Sequence, residues 1–249
     1  MPRFFLSASE IGDGFVTVTG DDALHISRSL RMRAGEHITV CDGNKTEYDC
    51  ELCDFTAETV RAKICSSRPS ETEPPCGIRL FQALPKSDKL DMIIQKAVES
   101  GAAGIVPFES ERTVVRIEST KEARKTERRN KIALEAAKQC GRGIIPSVGA
   151  SLTYPEMLRE AGKSELKILF YEGEGTESVH SFLERVCPDR RPPEGGISIL
   201  VGAEGGFSLR EVEEAKAAGF VSVGLGKRIL RCETASGFAL ACLAFWFEL

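Results

Sequence analysis

The chain has 249 residues, of which 42 % are hydrophobic and 28 % charged, and a net charge of −4. It is long enough to bury a core in one large or two small domains. No apolar run approaches the roughly 18 residues that cross a bilayer, and the short apolar stretch of MPRFFLSASEIGDG does not make a secretory signal, so a cytoplasmic protein without a membrane partner is expected.

Residues 1–70 read as short strands. GFVTVTG (14–20) alternates apolar and polar residues. EHITVCDGNKTEYDCEL (36–52) places two strand-like runs around the turn signal Asp42-Gly43-Asn44, and TVRAKI (59–64) is a further strand. Between the first two, DDALHISRSLRMR predicts one helix that ends in Arg28, Arg31 and Arg33. Together these predict a small β-barrel. SSRPSETEPPCG (66–77), rich in Ser, Pro and Glu and without periodicity, reads as a linker. The borders are set at 1–70 for the first domain, 71–77 for the linker and 78–249 for the second domain.

From residue 78 the pattern alternates between strands and helices. IRLFQAL (78–84) is a strand. SDKLDMIIQKAVESG (87–101) predicts a helix capped by Ser87 or Asp88, apolar on Leu90, Ile93, Ile94, Ala97 and Val98, and stopped by Gly101. AGIVPF (103–108) is a strand, and a long basic helix covers about 120–140. Strand KILFYE (167–172), helix ESVHSFLERV (177–186) and strand ISILVG (197–202) follow. The next helix opens on a capping box, Ser208 with Glu211, and a Phe207–Val212 staple, and Gly219 ends it. VSVGL (221–225) is the last strand. This alternation predicts an α/β domain with a mostly parallel sheet covered by helices. The final helix, ASGFALACLAFWFEL, is apolar nearly all round, which predicts burial inside its own domain or against a second subunit.

Charge and cysteines add two expectations. Arg112 to Arg142 holds ten Lys/Arg against four Asp/Glu, a local +6 in an acidic chain. Such a segment is either a footprint for a polyanion or a solvated helix face. Nine cysteines, an odd number, do not read as a disulfide framework. Cys50 and Cys53 form a C-x-x-C, but no second pair accompanies it and His25, His37 and His180 are scattered, so no metal is expected.

Ligands of open α/β sheets bind at the carboxyl ends of strands. Three loops leave such ends late in the chain: GEGTE after 172, AEGGFS after 202 and GKRILRCETA after 225. Glycine lets backbone approach a ligand closely, and a helix start offers free N–H groups. Neither G-x-G-x-x-G in its proper place, nor a P-loop, nor G-x-S-x-G is present. From the residues alone follows a two-domain α/β protein with a late glycine-rich site, charges beside it and a basic helix.

The segment LVGAEGGFSLREVEEAKAAGFVSVGLGKRILRCETASGFAL resembles the signature of the RsmE-type ribosomal RNA methyltransferases of the SPOUT superfamily. Members read roughly G-P-E-G-G-F/L-S-x-x-E, a spacer, then L-G-x-R-I/V-L-R-x-E-T-A/T. KSDKLDMIIQKAVESG, SERTVV, KIALEAAKQCGRGIIPSV and HISRSLRMRAGE also resemble family blocks, so the likeness spans the chain in order. Ala203 stands where the family usually has proline.

The resemblance implies a PUA-like β-barrel that helps to grip RNA, followed by a SPOUT α/β domain with a C-terminal trefoil knot. It implies a homodimer that binds S-adenosylmethionine in the knot and methylates N3 of a uridine in 16S ribosomal RNA of the small subunit, with no DNA partner. The implied cofactor residues are Leu200, Gly202, Glu204, Gly205, Leu225, Gly226, Ile229, Leu230 and Thr234. Uridine N3 carries a proton that must leave before attack. Arg228 or Arg231 is the candidate for stabilising the developing charge, and Glu233 for base or orienting group. Arg231 and Glu233 could equally pair with each other and brace the loop. Arg28, Arg31, Arg112, Arg124, Arg128 and Arg142 are the candidates for RNA contact. The rival readings are a non-catalytic ribosome-assembly protein that binds RNA, and a SPOUT methyltransferase acting on another RNA.

Overall fold

The computed structural model of the protein describes residues 1–173 and 175–249; Glu174, in the GEGTE loop, lies outside the described residues. The chain divides into two compact units, Met1–Glu73 with Ala137–Ile145, and Pro74–Ala136 with Pro146–Leu249.

The first unit is a five-stranded sheet in the order β1-β3-β4-β5-β2, from β1 (Arg3–Phe5), β2 (Phe15–Thr19), β3 (His37–Cys41), β4 (Thr46–Phe55) and β5 (Thr59–Pro69). β1 runs parallel to β3 and the other pairs are antiparallel. The alternation of β2 turns Val16 and Val18 into a core shared with Phe4, Ile26, Ile38, Val40, Leu52 and Val60. Two expectations change here. The helix expected over 21–33 is only α1 (Gly20–Leu24), followed by a π-turn over His25–Ser29, and Arg31 takes a φ of 53°. Ser27 bonds back to the Ala23 carbonyl at 2.8 Å, a contact that competes with the helical ladder and bends it. The stretch 66–69 is strand rather than linker, because the ten-residue β4 takes Ser66–Pro69 as the partners of Asp49–Thr46. The border at Glu73 is held by a clamp. Glu73 receives Arg142 Nε at 2.9 Å, Arg142 Nη2 at 2.8 Å and the backbone N–H groups of Gly143 and Ile144. That clamp groups Ala137–Ile145 with this unit.

The second unit is a parallel sheet in the order β11-β13-β10-β12-β6-β7-β8, with β9 also on β7. Its strands are β6 (Ile78–Ala83), β7 (Gly104–Glu109), β8 (Ser147–Val148), β9 (Leu152–Thr153), β10 (Leu166–Phe170), β11 (Glu177–Ser178), β12 (Ile197–Val201) and β13 (Val221–Gly224). The helices are α2 (Lys89–Glu99), α3 (Ser119–Cys140, its last turn counted with the first unit), α4 (Tyr154–Ala161), α5 (Val179–Val186), α6 (Leu209–Ala217) and α7 (Cys232–Phe247). β12 is buried at every residue, as expected of a parallel strand covered on both faces. α2 buries the five apolar residues expected of it, and α6 carries the Ser208–Glu211 capping box. α4 has no counterpart among the expected elements. α7 is not buried on all sides: Cys232, Ser236, Ala239, Leu240, Leu243 and Trp246 face inward, whereas Phe238 and Phe245 are exposed. Among the described residues no helix is long and apolar enough to cross a membrane.

The sheet order sets up the site. β10 lies between β12 and β13, so the chain crosses over β10 on its way from β12 to β13. The carboxyl ends of these three neighbours open side by side.

Candidate active site

Three loops follow β10, β12 and β13, and they enclose a cleft of about 560 Å³. This is the size of a site for a small organic ligand. Phe170, Val201, Phe207, Leu225 and Leu230 supply apolar walls, and Lys89, Glu172, Glu204 and Arg231 supply charge.

The middle loop is shaped by glycine. A Cβ on Gly202 would stand 3.1 Å from the Gly206 Cα and 3.3 Å from Phe207 Cε2, so the chain folds this tightly only without one. Gly206 takes a φ of 62° and donates its N–H to the Ala203 carbonyl at 2.9 Å. This turn bond uses only backbone, and it closes with alanine at 203. The third loop is tied to the first by the Leu230 N–H, which Glu172 Oε1 accepts at 3.1 Å.

Beneath the cleft lies Gln82, fully buried at the end of β6. Its amide donates to the carbonyls of Ala83 and Gly202 at 3.0 and 3.2 Å, and its oxygen accepts from the Ser236 hydroxyl in α7. One side chain thus joins β6, the end of β12 and the first turns of α7. At the mouth, Lys89 Nζ stands 2.9 Å from Glu204 Oε1 and 3.5 Å from Glu233 Oε2. The Lys86 N–H also donates to Glu204, at 3.2 and 3.3 Å from its two oxygens.

Burial alone would raise the Glu204 carboxyl; Lys89 and the backbone N–H groups of Glu204 and Lys86 outweigh it and hold the group below the usual carboxylate range. Glu233 is held low as well, first by its own backbone N–H; burial opposes this, and the Cys232 thiol and Lys89 add to it. Burial, with Glu233 and Glu204 close by, pushes the Cys232 thiol up to about 12. Cys232 is therefore protonated at neutral pH and donates to Glu233 at 3.2 Å.

Of the expected cofactor residues, Gly202, Glu204, Gly205, Leu225, Ile229 and Leu230 line the cleft. Leu200 does not: it is buried in the core beneath, beside Phe81 and Leu169. Gly226 and Thr234 are exposed beside the cleft. Ile229 lines the rim yet is 88 % exposed, an aliphatic surface left open to water. Among the three charged candidates, Arg231 lines the cleft, Glu233 reaches it through Lys89, and Arg228 stands in solvent outside it. Arg231 and Glu233 do not pair with each other.

The expected RNA residues separate into three groups. Arg28, Arg31 and Arg124 are exposed. Arg112 is exposed too and donates to the Gly205 carbonyl at 3.2 Å, on the edge of the cleft. Arg128 grips Asp91 with two bonds of 2.7 and 2.8 Å. Arg142 is 5 % exposed inside the Glu73 clamp, which leaves its guanidinium no face for a phosphate. The net charge of the basic segment is offset from outside it, since Arg116 meets Glu109, Arg128 meets Asp91, Lys138 meets Asp22 and Arg142 meets Glu73, while Lys121, Lys125, Arg129 and Lys131 meet the segment's own Glu118, Glu122 and Glu127. Among the described residues, Lys227, Arg228 and Arg231 form no ion pair, so open positive charge sits on the loop after β13. The C-x-x-C is split: Cys50 belongs to the core of the first unit and Cys53 donates to the Arg61 carbonyl.

Two family models match the chain, an RNA methyltransferase PUA domain over residues 18–65 and an RNA methyltransferase domain over residues 72–244. The chain is 33 % identical over 252 residues to ribosomal RNA small subunit methyltransferase E of Bacillus subtilis, covering 100 % of this chain and 98 % of that protein. It is 31 % identical to the protein of the same name from Synechocystis, covering 96 % of this chain and 76 % of that one. Among solved structures it is similar to ribosomal RNA small subunit methyltransferase E from Neisseria gonorrhoeae bound to S-adenosyl methionine, with a TM-score of 0.85, 32 % identity and coverage of 98 % and 97 %.

Proposed function

Because the chain belongs to the ribosomal RNA small subunit methyltransferase E family, we propose that it transfers a methyl group from S-adenosylmethionine to N3 of a uridine in 16S ribosomal RNA. The observation that carries this reading is one cleft formed where AEGGFS and LGKRILRCETA leave β12 and β13, the two strands that flank β10.

The residues fit such a cofactor. Backbone groups around Gly202, Gly205 and Leu230 offer the bonds an adenine edge needs, the apolar walls suit its faces, and Ile229 is placed to cover it. No helix N-terminus is needed for a phosphate, since the cofactor carries none. When bound, S-adenosylmethionine supplies an electrophilic methyl group on a sulfonium centre.

Arg231 is the residue we assign to the uridine. It lines the cleft without a counter-ion among the described residues, so its guanidinium is available to the carbonyl oxygens that gain negative charge as N3 gives its proton to solvent water. Glu233 is better suited to orienting than to taking that proton. Its carboxyl is held below the ordinary range, and a base of lowered pKa is a weaker proton acceptor. Lys227, Arg228 and Arg112 are the cations we assign to the RNA backbone. The finer parts of the reading are a trefoil knot through the segment from β12 to α7, a homodimer and a cytoplasmic site of action. The crossing over β10 and the Gln82–Ser236 bond support the first.

The test is incubation of the protein with methyl-labelled cofactor and ribosomal RNA, both free and as assembled small subunit, followed by mapping of the modified base. Label at N3 of one 16S uridine is the expected result. Binding to RNA without transfer would replace the enzyme by an assembly factor.

A further inference from the structure

We propose that Lys89 is a positioning residue, an ammonium latch that holds the glycine loop after β12 and the start of α7 in one arrangement; the inference rests on the methyltransferase reading above. Lys89 opens α2, Glu204 lies in the loop after β12, and Glu233 lies in the first turn of α7. All three meet at one nitrogen, 2.9 Å from Glu204 and 3.5 Å from Glu233. Two carboxylates that share a site repel, and a cation between them relieves that repulsion. The Lys86 N–H holds Glu204 a second time, so the turn before α2 grips the glycine loop with both main chain and side chain.

Glu233 is two residues from Arg231, so fixing Glu233 fixes the backbone that aims Arg231 into the cleft. Gln82 makes the neutral tie underneath, and Lys89 makes the charged tie at the mouth. The Lys89 side chain is about a third exposed. A pair that wet contributes little to stability. Its effect belongs in the rate, because displacing reacting groups by about 1 Å costs on the order of a hundredfold.

The experiment compares wild type, Lys89→Met and Lys89→Arg in the full chain. Turnover and cofactor binding are measured, together with amide hydrogen exchange in the cofactor-free protein. Lys89→Met is expected to lower kcat at saturating cofactor on the order of 10- to 100-fold, beyond any loss of cofactor affinity that the freed glycine loop causes. It should also strip protection from the Lys86 amide, which depends on Glu204 staying in place. Lys89→Arg should recover most of both, since a guanidinium spans two carboxylates. The latch is overturned if Lys89→Met keeps wild-type kcat and Lys86 protection. It is equally overturned if weakened cofactor binding accounts for the whole loss, or if Lys89→Arg is as impaired as Lys89→Met. Absence of methyl transfer by the wild type would instead overturn the methyltransferase reading, and Lys86 exchange would still decide the latch.

Discussion

Arg231 and Arg142 were equal candidates by residue type, and their surroundings separate them. Arg231 caps the start of α7 with extended backbone, stands exposed and has no acidic partner among the described residues. Arg231→Ala should therefore lower kcat by roughly 10²- to 10³-fold, the cost of losing one donor to a developing oxyanion, while calorimetry shows an unchanged cofactor affinity. Normal turnover at saturating cofactor would remove Arg231 from the chemistry. Arg142 is structural. Its partner Glu73 would be raised by burial, but Arg142 and two backbone N–H groups hold it below the ordinary range. Removing one member of such a buried pair costs about 3–5 kcal/mol, so Glu73→Gln should lower the urea midpoint of the full chain at pH 7. The pH dependence follows from the depressed carboxyl. Its stabilisation is complete above the unfolded value of about 4.3 and fades as pH falls through the lower folded value. Wild type and Glu73→Gln should thus converge in stability as pH falls through the depressed folded value of Glu73; a gap that stays constant across the whole acid titration would mean the clamp works through packing rather than charge.

Elements with complete local signals were legible, and those decided by distant partners were not. α2 follows from its apolar spacing, although Asp88 at its N-cap makes no side-chain cap bond, α6 follows from its capping box, and the β3–β4 hairpin follows from its turn. α4 carried a signal that went unused, a Thr153–Glu156 capping box with proline behind it. The π-turn after α1 and the turn at Arg31, whose φ is 53°, are not marked by residue type. The site divides in the same way. Its glycine loop and its cleft-lining aliphatics were legible as motifs, whereas Gln82 and Lys89 act on residues over a hundred positions later. Only the placement of β6 beside β12 brings those partners within reach. The glycine loop gives the prediction at this scale. Gly202→Ala puts a methyl group 3.1 Å from the Gly206 Cα, so the loop must shift by a few tenths of an ångström to take it. Overpacking of this kind costs about 1–3 kcal/mol, which becomes a roughly five- to hundredfold weaker cofactor Kd by calorimetry. Wild-type affinity would show that the loop is not part of the cofactor site.

At the scale of the molecule, the open face of α7 is the largest mismatch between composition and surroundings. Thr234, Phe238, Ala241 and Phe245 are exposed at spacings of four, three and four, which is one stripe along a helix. Phe238 and Phe245 are 40 % and 57 % exposed, and α2, which packs on α7, presents Met92 at 54 %. An apolar face of this kind on an otherwise charged chain asks for a cover. On the homodimer reading proposed above, a second copy of the chain would supply it with no further component, through a two-fold interface in which each α7 would meet its own counterpart or the neighbouring α2. The arrangement would also place an interface along the helix whose first turn carries Arg231 and Glu233, so dimerisation and order at the cleft would be linked. Light scattering should then give twice the chain mass of 27.2 kDa. Phe245→Asp should shift the protein to monomer and lower methyl transfer with it, because burying an unpaired charge in the interface is far costlier than leaving it in water. A wild-type monomer at micromolar concentration, or a Phe245→Asp variant that remains dimeric, would place the covering surface elsewhere.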